Sequence, residues 1–440
     1  MRRFLSFLLI LMLIIPTACA ADKYSTMPKA LKVKYKNTRT DTSSTCFIMR
    51  YYVDTCLDSV DAEVRKVIDR LAEENRSYLP KKSAMKDESA MLEAGSTIYR
   101  TGTKWMSFLM TASVMNGTKQ LSMSFDTLAY DMETGKKLTL DSVLLSDEKG
   151  WEYVRQETAR QLSEYFPQYK VNQDKLNALC GSNDALRKAD FTLSPAFLQL
   201  HFASESLYKK SGVIMHVRIP YTDLAPYLTK AAKTQTDNSR FKLVALTYDD
   251  GPTRKHTNTI IRALRSGGLN ATFFLVGERI AGANDLVMLE HNAGFTVASH
   301  NYVHVYTSQM RGKVHEYRKK MDNELIALIG KGVPFMRAPG GKEEVYLDEK
   351  VGLPLIHWSL HSKDGTSSDF DISKEAVRLA YAADDGSILL MHDLRSISAK
   401  YTQLLPQLFN DEGFLCVTIE ELFHLKGIPL KANTVYNSAR

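Results

Sequence analysis

The sequence predicts an α/β fold: a closed or nearly closed parallel (β/α) barrel of about seven strands, preceded by a separate α+β domain. Three observations carry this. The chain has 440 residues, too many for one ordinary domain and comfortable for two. A polar stretch without periodicity, TKAAKTQTDNSR at 229–240, divides it and reads as a linker. After that stretch, short β-rich runs alternate with amphipathic helical ones, which calls for parallel strands joined by right-handed crossovers. The expected organisation is a leader at 1–20, an α+β region at 21–228, the linker at 229–240 and the barrel at 241–440.

The leader MRRFLSFLLILMLIIPTACA has a basic start (Arg2, Arg3), an apolar middle too short to span a bilayer, and a small-x-small site at Ala18-Cys19-Ala20. It reads as a secretory signal, which places the mature chain in the cell envelope or outside the cell. Lipid anchoring through Cys19 is the rival reading, opposed by Pro16. No later stretch could cross a membrane. Net charge is +7, two of it in the leader; this suits ordinary solubility, and no basic patch with interleaved aromatics suggests nucleic acid. Apolar residues at 44% and charged ones at 24% predict a packed core and no disordered tract. Four cysteines remain after the leader. Cys46 and Cys56 could close a local disulfide loop or stay as thiols, the spacing leaving both open; Cys416, inside GFLCVTI, is expected to be a core thiol, and none has zinc-site spacing.

In the first region, VDAEVRKVIDRLAEE places Val64, Val67, Ile68 and Leu71 on one helical face. Strand-like runs follow at KWMSFLMTASVM, KQLSMSFDTLAYD and, after a turn at ETGKK, LTLDSVL. A helix is expected from Glu152 to Tyr165, then strands in DFTLSPAFLQLHF and GVIMHVRIPY. Strands mixed with separate helices suggest an antiparallel sheet with helices packed on it, and no catalytic constellation stands out. The stretches DMETGKKLTLDSVLL and VRIPYTDLAPYL resemble an extracellular domain found ahead of some bacterial peptidoglycan deacetylases and in RsiV-type anti-sigma factors. That resemblance implies surface exposure, and an envelope protein as a candidate partner.

In the second region the expected strands are KLVALTY, ATFFLV, FTVAS, PFMR, LPLIHWS, SILLM and GFLCVTI. Unusual polar residues stand at or just past their C-terminal ends: Asp249 and Asp250, His300 and His304, Arg337, Asp364 and His392. In a parallel barrel those ends share one rim, where active sites are built. The pair in TYDDGP is the oddest feature, because adjacent strand residues point to opposite faces and adjacent carboxylates repel. The Gly251-Pro252 turn is expected to bring both to the rim. A cation on one carboxylate would leave the other ionised as a base. HNYVH offers two further ligands, sharing a helical face or meeting at a strand-to-helix junction. Asp250, His300 and His304 then form a site with positions open for water. The same ligand set suits a non-haem iron oxygenase, but the second aspartate and His392 argue for acid–base hydrolysis.

TYDDGP, HNYVH, RAPGG, WSLHSKDG and LLMHD resemble, in order and rough spacing, the five motifs of the NodB-type polysaccharide deacetylases, carbohydrate esterase family four, over residues 241 to about 425. The resemblance implies a distorted β/α barrel that removes acetyl groups from polysaccharides with a divalent metal, zinc first, cobalt or another ion as alternatives. It implies that Asp250, His300 and His304 hold the metal, Asp249 is the base paired with Arg337, and His392 is the acid paired with Asp364. A backbone N–H near Gly340 would face the oxyanion. Leu390 shares the face of His392 and is expected to line an acetyl pocket, while Trp358 could stack on a sugar or fill the core.

Departures from the family pattern are Tyr248 for Phe, Asn301 for Ser or Thr, Gly340 where an aromatic is usual, and Gly365 where Trp is usual. The Gly340 change is expected to remove a groove wall. His256, His291, His315 and His357 read as surface or helix-face residues, and His361 as solvent-facing. The first-choice substrate is an N-acetylated amino sugar of peptidoglycan. Alternatives are chitin-like oligosaccharide, exopolysaccharide or O-acetyl xylan, and a glycan-binding protein without catalysis.

Overall fold

The computed structural model describes residues 28, 31–43, 46–80, 90–365 and 371–440. The expected leader, with Cys19, lies outside the described residues. Among them, no helix is long and apolar enough to cross a membrane.

The N-terminal region opens with a six-stranded sheet ordered β1 (Lys34–Ser43), β2 (Cys46–Asp54), β3 (Ala90–Thr101), β4 (Trp105–Asn116), β5 (Lys119–Asp131) and β6 (Lys136–Lys137). The helix Asp58–Arg76 packs on it through Val60, Val64, Ile68 and Leu71, with Asp58 and Asp61 favourably placed at its positive N-terminal end. Because this helix intervenes between β2 and β3, those two strands run parallel, so the sheet is mixed rather than purely antiparallel. LTLDSVL is not a strand: Thr139 caps a short helix at Leu140–Val143 through a capping box with Ser142. Cys46 and Cys56 cannot bridge, because β2 between them is extended at about 3.3 Å per residue and puts them far beyond disulfide reach. Cys416 is buried as expected. A second antiparallel sheet, β7 (Asp190–Leu193), β8 (Phe197–Ala203) and β9 (Ile214–Pro220), packs beside β4 and β5.

The stretch 229–240 also differs from expectation. Thr229 caps a helix at Lys230–Gln235, accepting from the Ala232 N–H at 3.1 Å. Gln235 is buried and its side-chain oxygen accepts from the backbone of Thr103 and Lys104. With only Ala232 and Gln235 buried in so short a helix, no apolar periodicity was there to read.

The C-terminal region begins at β10 (Lys242–Gly251), followed by β11 (Thr272–Leu275), β12 (Thr296–Ser299), β13 (Leu355–Ile356), β14 (Leu360–His361), β15 (Ser387–His392), β16 (Phe414–Val417) and β17 (Val435–Tyr436). The main sheet is ordered β12-β11-β10-β15-β14, with β16 also beside β10, and its pairings are all parallel. PFMR is not a strand. Its Met336 alone makes single bridges to Ser299 and Leu355, which link β12 to the β13–β17 pair. Three residues, 357–359, then carry the chain from β13 to β14 at the other edge. Strand alternation separates two faces. Val244, Leu246 and Tyr248 pack with Phe273, Leu389, Met391 and the surrounding helices, while Leu243 and Ala245 pack with Phe274, Ile356, Ile388 and Val417.

The two regions meet through ionic and buried contacts. Arg262 pairs with the buried Glu93 at 2.5 Å, and Arg265 donates to Thr111 at 3.0 Å. His291, read as a surface or helix-face residue, lies on the helix Asn284–Asn292 and is buried at this junction. His216 Nε2 donates to the His291 carbonyl at 2.9 Å, so its Nδ1 is the acceptor for His201 Nδ1–H at 2.8 Å, and His201 Nε2 accepts from Thr192 at 2.8 Å. His291 Nε2 donates to Ile214 at 2.9 Å. One neutral tautomer per ring thus satisfies the whole chain. Burial, reinforced by Arg218, pushes His201 down to about 3. Unfolded, it would titrate near 6.5, so its stabilising contribution is complete above about pH 6.5 and falls as pH drops toward 3. Accordingly, His201→Gln is expected to flatten the pH dependence of urea unfolding between pH 7 and 5 by up to about 1.4 kcal/mol per pH unit. An unchanged slope would contradict this.

Candidate active site

Alternation continues along β10 to its end. Thr247 and Asp249 fall on the face of Leu243 and Ala245, and Arg337 reaches both: Nη1 donates to Thr247 Oγ1 at 2.9 Å and to Asp249 Oδ1 at 2.6 Å. The remaining Arg337 donors go to the carbonyls of Ile356 at 2.9 Å and His357 at 2.8 Å. Arg337 is fully buried and Asp249 nearly so, which makes this a desolvated ion pair with all three guanidinium nitrogens donating.

Asp250 should point to the opposite face. It does not, because its own φ is 72° and the β10–β11 register shifts between Asp249 and Gly251. The chain makes a bulge there, and a left-handed aspartate turns the second carboxylate to the same end as the first. The turn at Gly251-Pro252 follows this break rather than causing it.

His300 follows β12, and His304 lies in the loop before the helix Thr307–Met310. Of the two geometries expected for HNYVH, the strand-to-helix junction is the one adopted. Asn301 stands between at φ 68°, its amide donating to the Val303 carbonyl at 2.8 Å and holding the loop. His300 Nε2 and His304 Nε2 lie 3.6 and 3.3 Å from Asp250 Oδ1. Two ligands of a tetrahedral zinc, each about 2.0–2.1 Å from it, would be roughly 3.4 Å apart. His300 Nδ1 donates to the Arg337 carbonyl at 3.0 Å, which fixes the tautomer and leaves Nε2 as a lone pair. Asp250 Oδ1 is buried without a hydrogen-bond partner. An orphaned acceptor between two imidazole nitrogens fits a divalent cation, and these three residues are the cation-sized cluster found among the described residues.

Opposite this cluster, His392 ends β15. Its Nδ1 donates to Asp364 Oδ1 at 2.8 Å and its backbone N–H to Asp364 Oδ2 at 2.7 Å, while Ser398 also donates to Oδ2. Burial alone would lower the His392 pKa. The hydrogen bond and charge of Asp364, joined by Asp249 and Asp250, outweigh it and hold the ring above its ordinary value. Burial would raise Asp364, and the bond from His392 overcomes it, holding that carboxyl below the usual range. His361, expected in solvent, is half-buried, its ring 6.3 Å from that of His392.

Leu390 is buried on β15 opposite Thr247. Trp358 is partly buried, its ring 5.7 Å from the Arg337 guanidinium carbon. Gly340 adopts φ 63° in the turn after Arg337. The sequence reading did not identify Thr247, Ser398 or Tyr306. Thr247 was recoverable, two residues before Asp249 on the same strand face. Ser398 was not, since it reaches Asp364 from a helix 34 residues away.

A parallel α/β fold with a carboxylate–imidazole cation site, a buried carboxylate on one side and an imidazole–carboxylate pair on the other defines a hydrolytic enzyme of the metal-dependent class. Residues 236–353 match the polysaccharide deacetylase family, so that stretch carries a polysaccharide deacetylase domain. Over 397 residues the chain is 26% identical to the peptidoglycan-N-acetylglucosamine deacetylase PgdA of Listeria monocytogenes, covering 83% of this chain and 77% of that protein. It is 27% identical over 199 residues to the peptidoglycan-N-acetylmuramic acid deacetylase PdaC of Bacillus subtilis, covering 44% and 41% of the two chains. It is 30% identical over 202 residues to a bifunctional xylanase/deacetylase of Pseudobutyrivibrio xylanivorans, covering 44% and 32%.

Proposed function

We propose that this chain is an exported deacetylase that hydrolyses the N-acetyl groups of peptidoglycan amino sugars. The observation that carries the chemistry is the orphaned Asp250 oxygen between two imidazoles, set between the Asp249–Arg337 and His392–Asp364 pairs. The substrate is supported by relatives named for peptidoglycan, one of them aligned over 83% of the chain, well beyond the catalytic half. The parallel pairings, joined through Met336 and through residues 357–359, are read as one distorted barrel, and residues up to 228 as a separate domain.

A divalent cation held by Asp250, His300 and His304, zinc first among candidates, would supply Lewis acidity, lowering the pKa of water and polarising the acetyl carbonyl. Asp249, paired with Arg337 at 2.6 Å, accepts the proton of the attacking water. A backbone N–H at Gly340 faces the developing oxyanion, a contribution of about 3 kcal/mol in comparable sites. His392, kept protonated by Asp364, donates to the departing amine, which would otherwise leave poorly.

Incubation with peptidoglycan fragments is expected to release acetate and convert N-acetylated sugars to free amines, read by mass spectrometry. Intact fragments after treatment with the metal-loaded chain would refute the proposal. The xylanase/deacetylase relative favours acetylated xylan as a second reading, and acetate released from that polymer alone would select it.

Asp364 gives a pH test. A protonated His392 is required, so activity falls as pH rises through its raised pKa. Asp364→Asn removes the charge that raises it. The alkaline limb of the kcat profile is expected to move to lower pH, and an unmoved limb would exclude the pairing from catalysis.

A further inference from the structure

Single exposed aromatics on a protein surface need no explanation. Tyr306 differs in how it is held. It is 60% exposed, yet its ring meets the His304 ring nearly edge-on, with centroids 6.0 Å apart at 76°. It also covers Gly340, where an added Cβ would lie 2.8 Å from the phenol ring. Gly341 is covered in the same way by Trp358, whose indole would lie 3.0 Å from a Cβ at that position. Both glycines have positive φ, 63° and 66°, which a side chain at either position would oppose. Two consecutive residues thus lack side chains, and a ring from elsewhere in the chain occupies each vacated space. Trp358 lies 6.5 Å from His361, which in turn neighbours His392. Tyr306 therefore flanks the cation-ligand side of the site, while Trp358 lies beside Arg337 and His361. The groove wall expected to be missing at Gly340 is rebuilt by Tyr306.

We propose that Tyr306 and Trp358 form a two-ring platform that stacks on sugar faces of the glycan either side of the reacting acetamide, with Tyr306 setting affinity for the polymer. This rests on the reading of the chain as a glycan deacetylase. Pyranose rings present apolar C–H faces, and a flat side chain with two rotatable bonds covers such a face at small entropic cost. The exposed face of Tyr306 is free for that contact, while His304 and Gly340 fix the ring's other contacts.

The test uses the full chain and chitotetraose, a β-1,4-linked N-acetylglucosamine oligomer, with binding measured by calorimetry and acetate release measured separately. Tyr306→Ala is expected to weaken binding roughly tenfold and to raise KM with little change in kcat, whereas Tyr306→Phe keeps the ring and is expected to bind as the native chain does. Equal binding by native and alanine chains would overturn the platform, as would an equal loss in the phenylalanine variant or no binding by the native chain. Binding that depends on Tyr306, with no acetate released from either chitotetraose or peptidoglycan fragments, would uphold the platform and sink the deacetylase reading instead.

Discussion

Asp249→Asn is expected to lower kcat for acetate release by about three to four orders of magnitude with a small effect on KM, the upper part of the range for loss of a general base. Asn keeps the shape of the side chain and can still accept from Arg337, which in the native chain donates to Oδ1 at 2.6 Å. What changes is the other position. Asp249 Oδ2 lies 3.8 Å from His300 Nε2, beside the cation cluster, and an amide there cannot take a proton from water. Arg337 would be left buried with a neutral partner, and breaking a buried ion pair outright can cost about 3–5 kcal/mol. A thermal melt must therefore accompany the assay, so that loss of fold is not mistaken for loss of the base. A folded variant turning over within tenfold of the native chain would remove Asp249 from the mechanism.

The second large effect concerns the ligands. Asp250→Ala is expected to abolish stoichiometric metal binding and, with it, at least about a thousandfold of activity, since Lewis-acid stabilisation in such sites is worth several kcal/mol. The reasoning starts from the oxygen, not the family. Asp250 Oδ1 is buried, lacks a hydrogen bond, and sits 3.3 and 3.6 Å from two imidazole nitrogens, one of them locked as a lone pair by its partner nitrogen's bond to the Arg337 carbonyl. Burying an unpartnered carboxylate oxygen is costly unless a cation compensates it. Elemental analysis of the native chain is expected to give one equivalent of zinc or a similar ion, removable by chelator and restored with activity on re-addition. A full equivalent retained by the alanine variant would place the metal elsewhere.

The chemistry-bearing residues were legible because strand ends are. Asp249, His300 and His392 stand at the ends of short apolar strands, which parallel pairing brings to one end regardless of separation along the chain, while Arg337 and Asp364 join them from the segments after a single bridge and after β14. The short helix within 229–240 and the parallel β2–β3 pair were not legible. The first has too few buried positions for a period, and the second depends on which strands a helix connects. Whether Cys46 and Cys56 pair was open in the sequence because spacing alone does not reveal an extended strand between two thiols.

By itself, the order of residues determined the alternation of strands and helices, the candidate cation ligands and the polar residues around them, and the end of the sheet where they collect, because these follow from local periodicity and from parallel pairing. Only the folded chain decided that Asp250 turns through a left-handed bulge, that Tyr306 and Trp358 fill the spaces above Gly340 and Gly341, and that three histidines join the two halves. Each of these is settled by atoms distant in sequence meeting in space. A non-glycine residue adopts positive φ, and a buried imidazole stays neutral, only where surrounding contacts outweigh the local cost, and no window of neighbouring residues contains those contacts.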